Sequence, residues 1–485
     1  MHANVFISPR FLPHFVPRLL ILVLLAAGLG GCADFSGIQQ QSQLQEPVMP
    51  SAPDHAAALP VRSDWWRDFG DEQLDRLEAH ALANSPSLKL AQARLARSQA
   101  VMEVAKGATL PQLGAQVDLT HQRFTANGAV PPPLAGSIRD SGTAQLTASW
   151  ELDFFGKYRA ALDAALGSAK AAEADAQAAH VLLAAQVART YFQWVRLDAQ
   201  TAVAERTLAQ RQQTLQLVQD RVKAGLDTRL ELRLSEAGLP EARLQLETLA
   251  EQTALTRHAL AALLGDTDSN ALAAAPTGLG TIRQVALSGT IPADVLGSRP
   301  DIVAARWRVE AAGNDVRNAK TQFYPNINLV GFAGFSSIGL PSLLNGGSQQ
   351  WGVGPALRLP IFDAGRLRAN LRGKTSELDA AIESYHAAVV DAARDVADQV
   401  SSTQAVLRQQ IEQGAAQAAA ETAHEIALQR YEAGLANYLT VLNAETGVLN
   451  QRRVGVDLAA RSLETRVLLM HALGGGEASR FVAAR

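Results

Sequence analysis

Two periods alternate along this chain. Leu113, Ala115, Val117 and Leu119 alternate with Gly114, Gln116, Asp118 and Thr120, and Ala144, Leu146, Ala148 and Trp150 alternate with Gln145, Thr147, Ser149 and Glu151. Successive side chains of a strand point to opposite faces, so a period of two with one apolar set predicts a strand covered on one side. Ile327 and Leu329 against Asn326 and Asn328 predict a third strand, the least regular, and Trp351, Val353, Leu357 and Leu359 against Gly352, Gly354, Ala356 and Arg358 a fourth. The links at 125–141, with Pro131, Pro132 and Pro133, and at 336–350, with Asn345, Gly346 and Gly347, read as loops by composition.

Elsewhere the helical period takes over. Residues 157–224 and 366–433 contain no proline and are rich in Ala, Leu, Gln, Glu and Arg, which predicts two very long helices. About 65 residues at a rise of 1.5 Å extend roughly 100 Å, too long to stand without packing on neighbours. Leu183, Val187 and Tyr191 form an apolar ridge at i, i+4 spacing, and the pairs Ala171-Ala172 and Ala178-Ala179 let backbones approach closely.

The pattern is written twice. Pro86 and Pro300, and Pro111 and Pro325, are 214 residues apart; Gly156 and Gly365, Arg221 and Arg430, Gly225 and Gly434, Glu236 and Glu445, and Leu264-Gly265 and Leu473-Gly474 are 209 apart. One loop between Pro111 and Gly156 absorbs the difference, and the rest stays collinear. Each copy reads as helix, strand pair, long helix, tight turn and returning helix. The copies are placed at residues 61–275 and 276–474, with 475–485 as a C-terminal tail.

Four strands of about ten residues with one apolar face fit a membrane barrel, although a soluble sandwich carries the same pattern. Aromatic residues at strand ends (Phe124, Trp150, Phe154, Phe155, Phe335, Trp351, Phe362) suit interfacial girdles and also ordinary strand cores. In lipid, four strands cannot close, and each unpaired backbone group on an open edge costs several kcal/mol. Two chains give a just-closed barrel of eight strands filled by side chains, whereas three give twelve and begin to leave a lumen.

Composition narrows the classes. The 44 basic and 47 acidic residues leave a net charge of -3, so no overall field draws nucleic acid. Cys32 is the only cysteine, which excludes an internal disulfide and a thiolate metal cluster. It follows Arg10, Arg18, an apolar run at 19–29, Gly30 and Gly31, the pattern of a secretory signal over residues 1–31. Leu29-Gly30-Gly31-Cys32 also resembles a bacterial lipobox, which implies acylation of Cys32. Ala33 in place of aspartate implies outer-membrane sorting, with the polar, small-residue stretch 32–60 as a lipidated tether. No Walker loop or GxSxG elbow occurs, and His424-Glu425 lacks a second histidine four places on, so no catalytic residue, metal ligand or cofactor is assigned. A periplasmic adaptor lipoprotein is the main rival from another class, but two hairpins and two strand pairs argue against it. An envelope hydrolase has no nucleophile and base cluster behind it.

Leu296-Gly297-Ser298-Arg299-Pro300-Asp301-Ile302, Phe323-Tyr324-Pro325-Asn326-Ile327 and Leu359-Pro360-Ile361-Phe362-Asp363-Ala364-Gly365-Arg366 resemble the signature of the outer-membrane factor (TolC-like) family. Trp65-Trp66-Arg67-Asp68-Phe69, Trp150-Glu151-Leu152-Asp153-Phe154-Phe155-Gly156 and Leu473-Gly474-Gly475-Gly476 resemble its other landmarks, in the lipoprotein branch of multidrug-efflux ducts. The resemblance implies a membrane β-barrel plus an α-helical barrel closed by trimerisation, an exit duct engaged by a periplasmic adaptor and an inner-membrane RND-type pump. It further implies that Gly225, Leu226, Gly434 and Leu435 form adaptor-contacting turn tips, and that Leu439, Thr440 and Asn443 line a periplasmic gate. Thr440 and Asn443 stand where relatives carry aspartates, so a leucine and amide gate is expected in place of a cation-binding ring; a plain interior helix face is the alternative. Tyr431 and Glu231 match the positions that tie inner to outer hairpins in relatives; an unlinked, solvated glutamate is the alternative.

Overall fold

The computed structural model describes residues 35–45, 62–268, 275–283 and 299–476, together with Leu272 and Gly297. Cys32, the signal-peptide stretch, most of the predicted tether and residues 477–485 of the tail lie outside the described residues. After a short 3-10 helix at Trp65–Phe69 come α1 (Glu72–Asn84), α2 (Pro86–Gly107), β1 (Gln112–Arg123), β2 (Ile138–Leu152), α3 (Lys157–Lys223) and α4 (Arg229–Leu264). Then follow α5 (Pro300–Thr321), β3 (Asn326–Ile338), β4 (Gln349–Arg358), α6 (Arg366–Glu432) and α7 (Tyr438–Ala472). From α2 onward the order helix, two strands, long helix, returning helix occurs twice, and α3 and α6 are each 67 residues long. Pro86 and Pro300 open α2 and α5, where a missing N–H costs nothing. Among the described residues no helix is long and apolar enough to cross a membrane.

Spatially the described residues gather into two compact units, each drawing on both halves: those within 35–44, 97–170 and 307–383, and those within 45–96, 171–306 and 384–476. The first unit holds one antiparallel sheet in the order β1-β2-β3-β4. Leu119 pairs with Gly142, Val117 with Ala144, Leu146 with Ala333 and Ala333 with Trp351, so the apolar sets of all four strands fall on one face. That face is bare: Leu113, Val117, Leu119, Leu146, Trp351, Val353 and Leu357 are all more than 60% exposed. β2 begins at Ile138, β3 runs to Ile338 and β4 begins at Gln349, so the ladders reach into stretches whose composition reads as loop. Cross-strand hydrogen bonding overrides weak local preference there. Leu359 lies one residue past β4.

The second unit holds the main core. Trp65, Trp66 and Phe69 of the 3-10 helix pack with Leu74 and Leu77 of α1, Leu183, Val187, Tyr191 and Phe192 of α3, Leu260 of α4 and Val467 of α7. Asp71 caps α1, accepting from the N–H groups of Gln73 and Leu74 at 2.9 and 3.2 Å, and also receives the Tyr191 hydroxyl at 2.7 Å. Arg299 of the Arg-Pro-Asp run donates to the Ala472 carbonyl at 2.8 Å and to Asp301, fastening the start of α5 to the end of α7. Glu78 of α1 is fully enclosed, and neither carboxyl oxygen has a hydrogen-bond partner among the described residues. Burial, with Asp75 nearby, pushes that carboxyl well above its ordinary range.

Candidate functional site

The two return turns share one local solution. Just past the ends of α3 and α6, Gly225 and Gly434 take left-handed backbone at φ 75° and 73°. Gly225 N–H donates to the Val222 carbonyl at 3.0 Å and Leu226 N–H to that of Arg221 at 2.9 Å; Gly434 and Leu435 repeat the pair on Tyr431 and Arg430 at 3.0 and 2.7 Å. These bonds satisfy carbonyls that a helix end leaves unpaired, and glycine reaches the required φ without steric cost. A Cβ at either glycine would meet open space, so the requirement is the backbone's alone. Leu226 and Leu435 stand off the tips, 66% and 70% exposed.

The returning helices are capped differently. α4 opens with a capping box in which Thr228 accepts from Leu230 N–H at 3.2 Å and Glu231 accepts from Thr228 N–H at 2.9 Å. α7 opens at Asn437, whose Oδ1 accepts both the N–H and the hydroxyl of Thr440, at 3.1 and 2.8 Å. Leu439, Thr440 and Asn443 lie together on the exposed face of α7, while Tyr438, Val441 and Glu445 face inward and are buried. Their side chains are neutral, and Thr440's hydroxyl is already engaged in the cap.

Tyr431 and Glu231 are not brought together. Glu231 is committed to Thr228, and the Tyr431 hydroxyl donates to Asp227. Asp227 sits in the turn itself, four residues nearer the tip, where it also receives Arg221 Nε at 3.0 Å. The Arg221 guanidinium lies 4.5 Å from the Tyr431 ring centroid, so carboxylate, cation and phenol form one cluster across the two hairpins. Arg221 and Asp227 keep only 12% and 9% of their side-chain exposure, and Tyr431 none. Burial first, and then the bond to Asp227, raises the phenol's pKa and keeps it a donor. Val218, Tyr438 and Val441 close the apolar side of the cluster.

A second polar junction crosses the hairpins through Arg211 of α3. Its Nη1 donates to the Gly238 carbonyl at 2.8 Å and to Glu241 at 2.9 Å on α4, while Nε donates to Glu445 of α7 at 3.1 Å. Glu445 is 4% exposed, so its charge is paired in a nearly dry setting. Sequence reading missed Asp227, Arg221 and Arg211 as partners. The available signal was a break in the repeat: Asp227 and Tyr431 stand where the other copy has Ala436 and Val222. Among the described residues no group of three His, Cys, Asp or Glu could hold a metal ion.

Comparison with known proteins agrees with this architecture. The outer membrane efflux protein family profile matches residues 78–266 and 291–475. The chain belongs to that family. It is 37% identical over 366 residues to the fusaric acid resistance protein FusA of Burkholderia cepacia, covering 73% of this chain and 68% of that one. It is 31% identical to the putative multidrug resistance outer membrane protein MdtQ of Escherichia coli over 95% of this chain and 98% of that one. The outer membrane protein VceC of Vibrio cholerae superposes with a TM-score of 0.81 at 34% identity, over 85% of this chain and 99% of that one. The protein is thus an outer-membrane channel with a periplasmic helical tunnel, the exit duct of a tripartite efflux or export system. The channel's family is one of transport proteins.

Proposed function

We propose that the duct is a homotrimer, anchored by an acylated Cys32 and opened at its helix-turn tips by a periplasmic adaptor linked to an RND-type inner-membrane pump. The observation that carries this reading is the sheet: it has four strands, β1 and β4 end it on both sides, and one face carries an apolar band, from Leu113 to Leu119 on β1 and from Trp351 to Leu357 on β4, that stands exposed. Such a sheet in lipid leaves two rows of peptide groups without partners, and copies of itself supply complementary edges. Twelve strands are the smallest multiple of four that leaves a lumen.

In this reading residues 61–275 and 276–474 are two copies of one wall unit behind a signal peptide at 1–31 and a tether at 32–60, with 475–485 as a tail. Gly225, Leu226, Gly434 and Leu435 receive the adaptor. Leu439, Thr440 and Asn443 form a neutral constriction, and the cluster of Asp227, Arg221 and Tyr431 holds the hairpins shut. The duct performs no chemical step and uses no cofactor; the pump supplies the energy and chooses the cargo, and outer-membrane lipid is the other partner. Heat-modifiable migration of the outer-membrane fraction, with crosslinked species at three times the chain mass, tests the trimer. A folded, water-soluble monomer overturns it. Potent periplasmic block by divalent cations in single-channel records overturns the neutral constriction.

A further inference from the structure

The sheet's second face is the polar one, and β3 breaks its rule, with Ile338 at the loop end and with a pair of apolar side chains in mid-strand. Gln116, Asp118 and Thr120 of β1 and Thr143, Gln145, Thr147 and Ser149 of β2 alternate with the apolar set, so in a closed barrel they look into the lumen. The same register places Val330 and Phe332 of β3 on that polar face, because Phe332 pairs with Thr147 and Val330 with Ser149. This is why β3 is the least regular strand by pattern. Neither residue is covered: Val330 is 37% and Phe332 39% exposed.

The neighbouring strand makes room for the ring. Phe332 pairs with Gly352 and Val330 with Gly354, so β4 offers no side chain beside them on that face. A Cβ at position 352 would lie 2.7 Å from the Phe332 ring, so the ring rests where a side chain would otherwise stand. At 354 a Cβ would meet nothing within 4 Å. One register step towards the loops, Gln350 donates to Gln145 at 3.1 Å and bounds the patch with amides. The result is an apolar, flat-floored step in the middle of a largely polar wall.

We propose that Phe332, with Val330 and the bare backbone at Gly352 and Gly354, is a lumenal contact for planar aromatic cargo, present once per protomer. An aromatic face exposed to water gains from stacking on another, and the amide border adds hydrogen-bonding edges without fixing a charge. The site thereby favours flat, apolar molecules in transit over hydrated ions. The inference rests on the duct reading, since it requires the polar face to line a lumen.

The test uses the full-length channel in planar bilayers, with naphthalene-2-sulfonate or cyclohexanesulfonate added on the side of the strand loops. Approach from that side reaches the barrel without passing the periplasmic constriction. The native channel should show residence-dependent current noise about fivefold greater for the aromatic probe, the ratio expected from one stacking contact. Phe332→Ala and the volume-keeping Phe332→Leu should abolish the difference, and Phe332→Tyr should retain it. Gly352→Ala should displace the ring and weaken the aromatic response. Equal noise from the two probes in the native channel, or an undiminished difference in both the Ala and Leu variants, overturns the inference. Insertion without any conductance even when Asp227→Ala unlocks the tips overturns the duct reading instead.

Discussion

The two hairpin tips have the same backbone and different chemistry. Both turn on a left-handed glycine with the same pair of crossed hydrogen bonds, and both expose a leucine beyond it. In the first copy Arg221 finds Asp227 within its own turn; in the second, Arg430 has Ala436 at the matching place and stays exposed. Conversely the second copy carries Tyr431 where the first has Val222. Each tip therefore holds half of a link that neither could make alone. Both copies supply the turn, and their differences supply the hydrogen bond between the tips. Glu236 and Glu445 repeat the lesson: the former pairs with Arg233 at the surface, the latter with Arg211 in a nearly dry junction.

Changes at the shared backbone should be felt most. Gly434→Trp places a bulky residue at φ 73° with open space around it, so trimers should persist while adaptor-dependent drug resistance is lost; growth assays in an efflux-deficient host, alongside heat-modifiable migration, read both. Asp227→Ala leaves a partly buried guanidinium and a buried phenol without their acceptor, a cost of about 2 kcal/mol, and should raise single-channel conductance clearly. Glu445→Ala should destabilise by about 2 kcal/mol in thermal melts, whereas Glu236→Ala should stay within about 0.5 kcal/mol of the native chain. Equal shifts would erase the contrast between the copies. Tyr431→Phe removes one hydrogen bond worth about 1 kcal/mol and should increase leak less than Asp227→Ala. Glu231→Gln keeps most of the cap and should leave conductance unchanged; a leak matching that of Tyr431→Phe would return the link to Glu231.

Much of this was legible beforehand, for physical reasons. The 67-residue helices, the turn glycines and the apolar ridge Leu183, Val187 and Tyr191 follow from propensity and period, which act within a turn or two of chain. The strands were legible in type and short in extent, because ladder bonds carry β2 and β3 into residues of loop-like composition. The family resemblance points to Glu231 as Tyr431's partner because it compares positions along the chain. The local capping box had already claimed its carboxylate, leaving Asp227 as the acid within reach.

Short-range periods and motifs carry the type and order of the elements, their duplication, the apolar band of the sheet and the family. Tertiary structure alone decided which acid meets Tyr431, that Arg211 spans α4 and α7, and that Phe332 lies over a glycine on the polar face. Those outcomes depend on distances between segments far apart in the chain, and one residue of register or one competing cap is enough to change the partner.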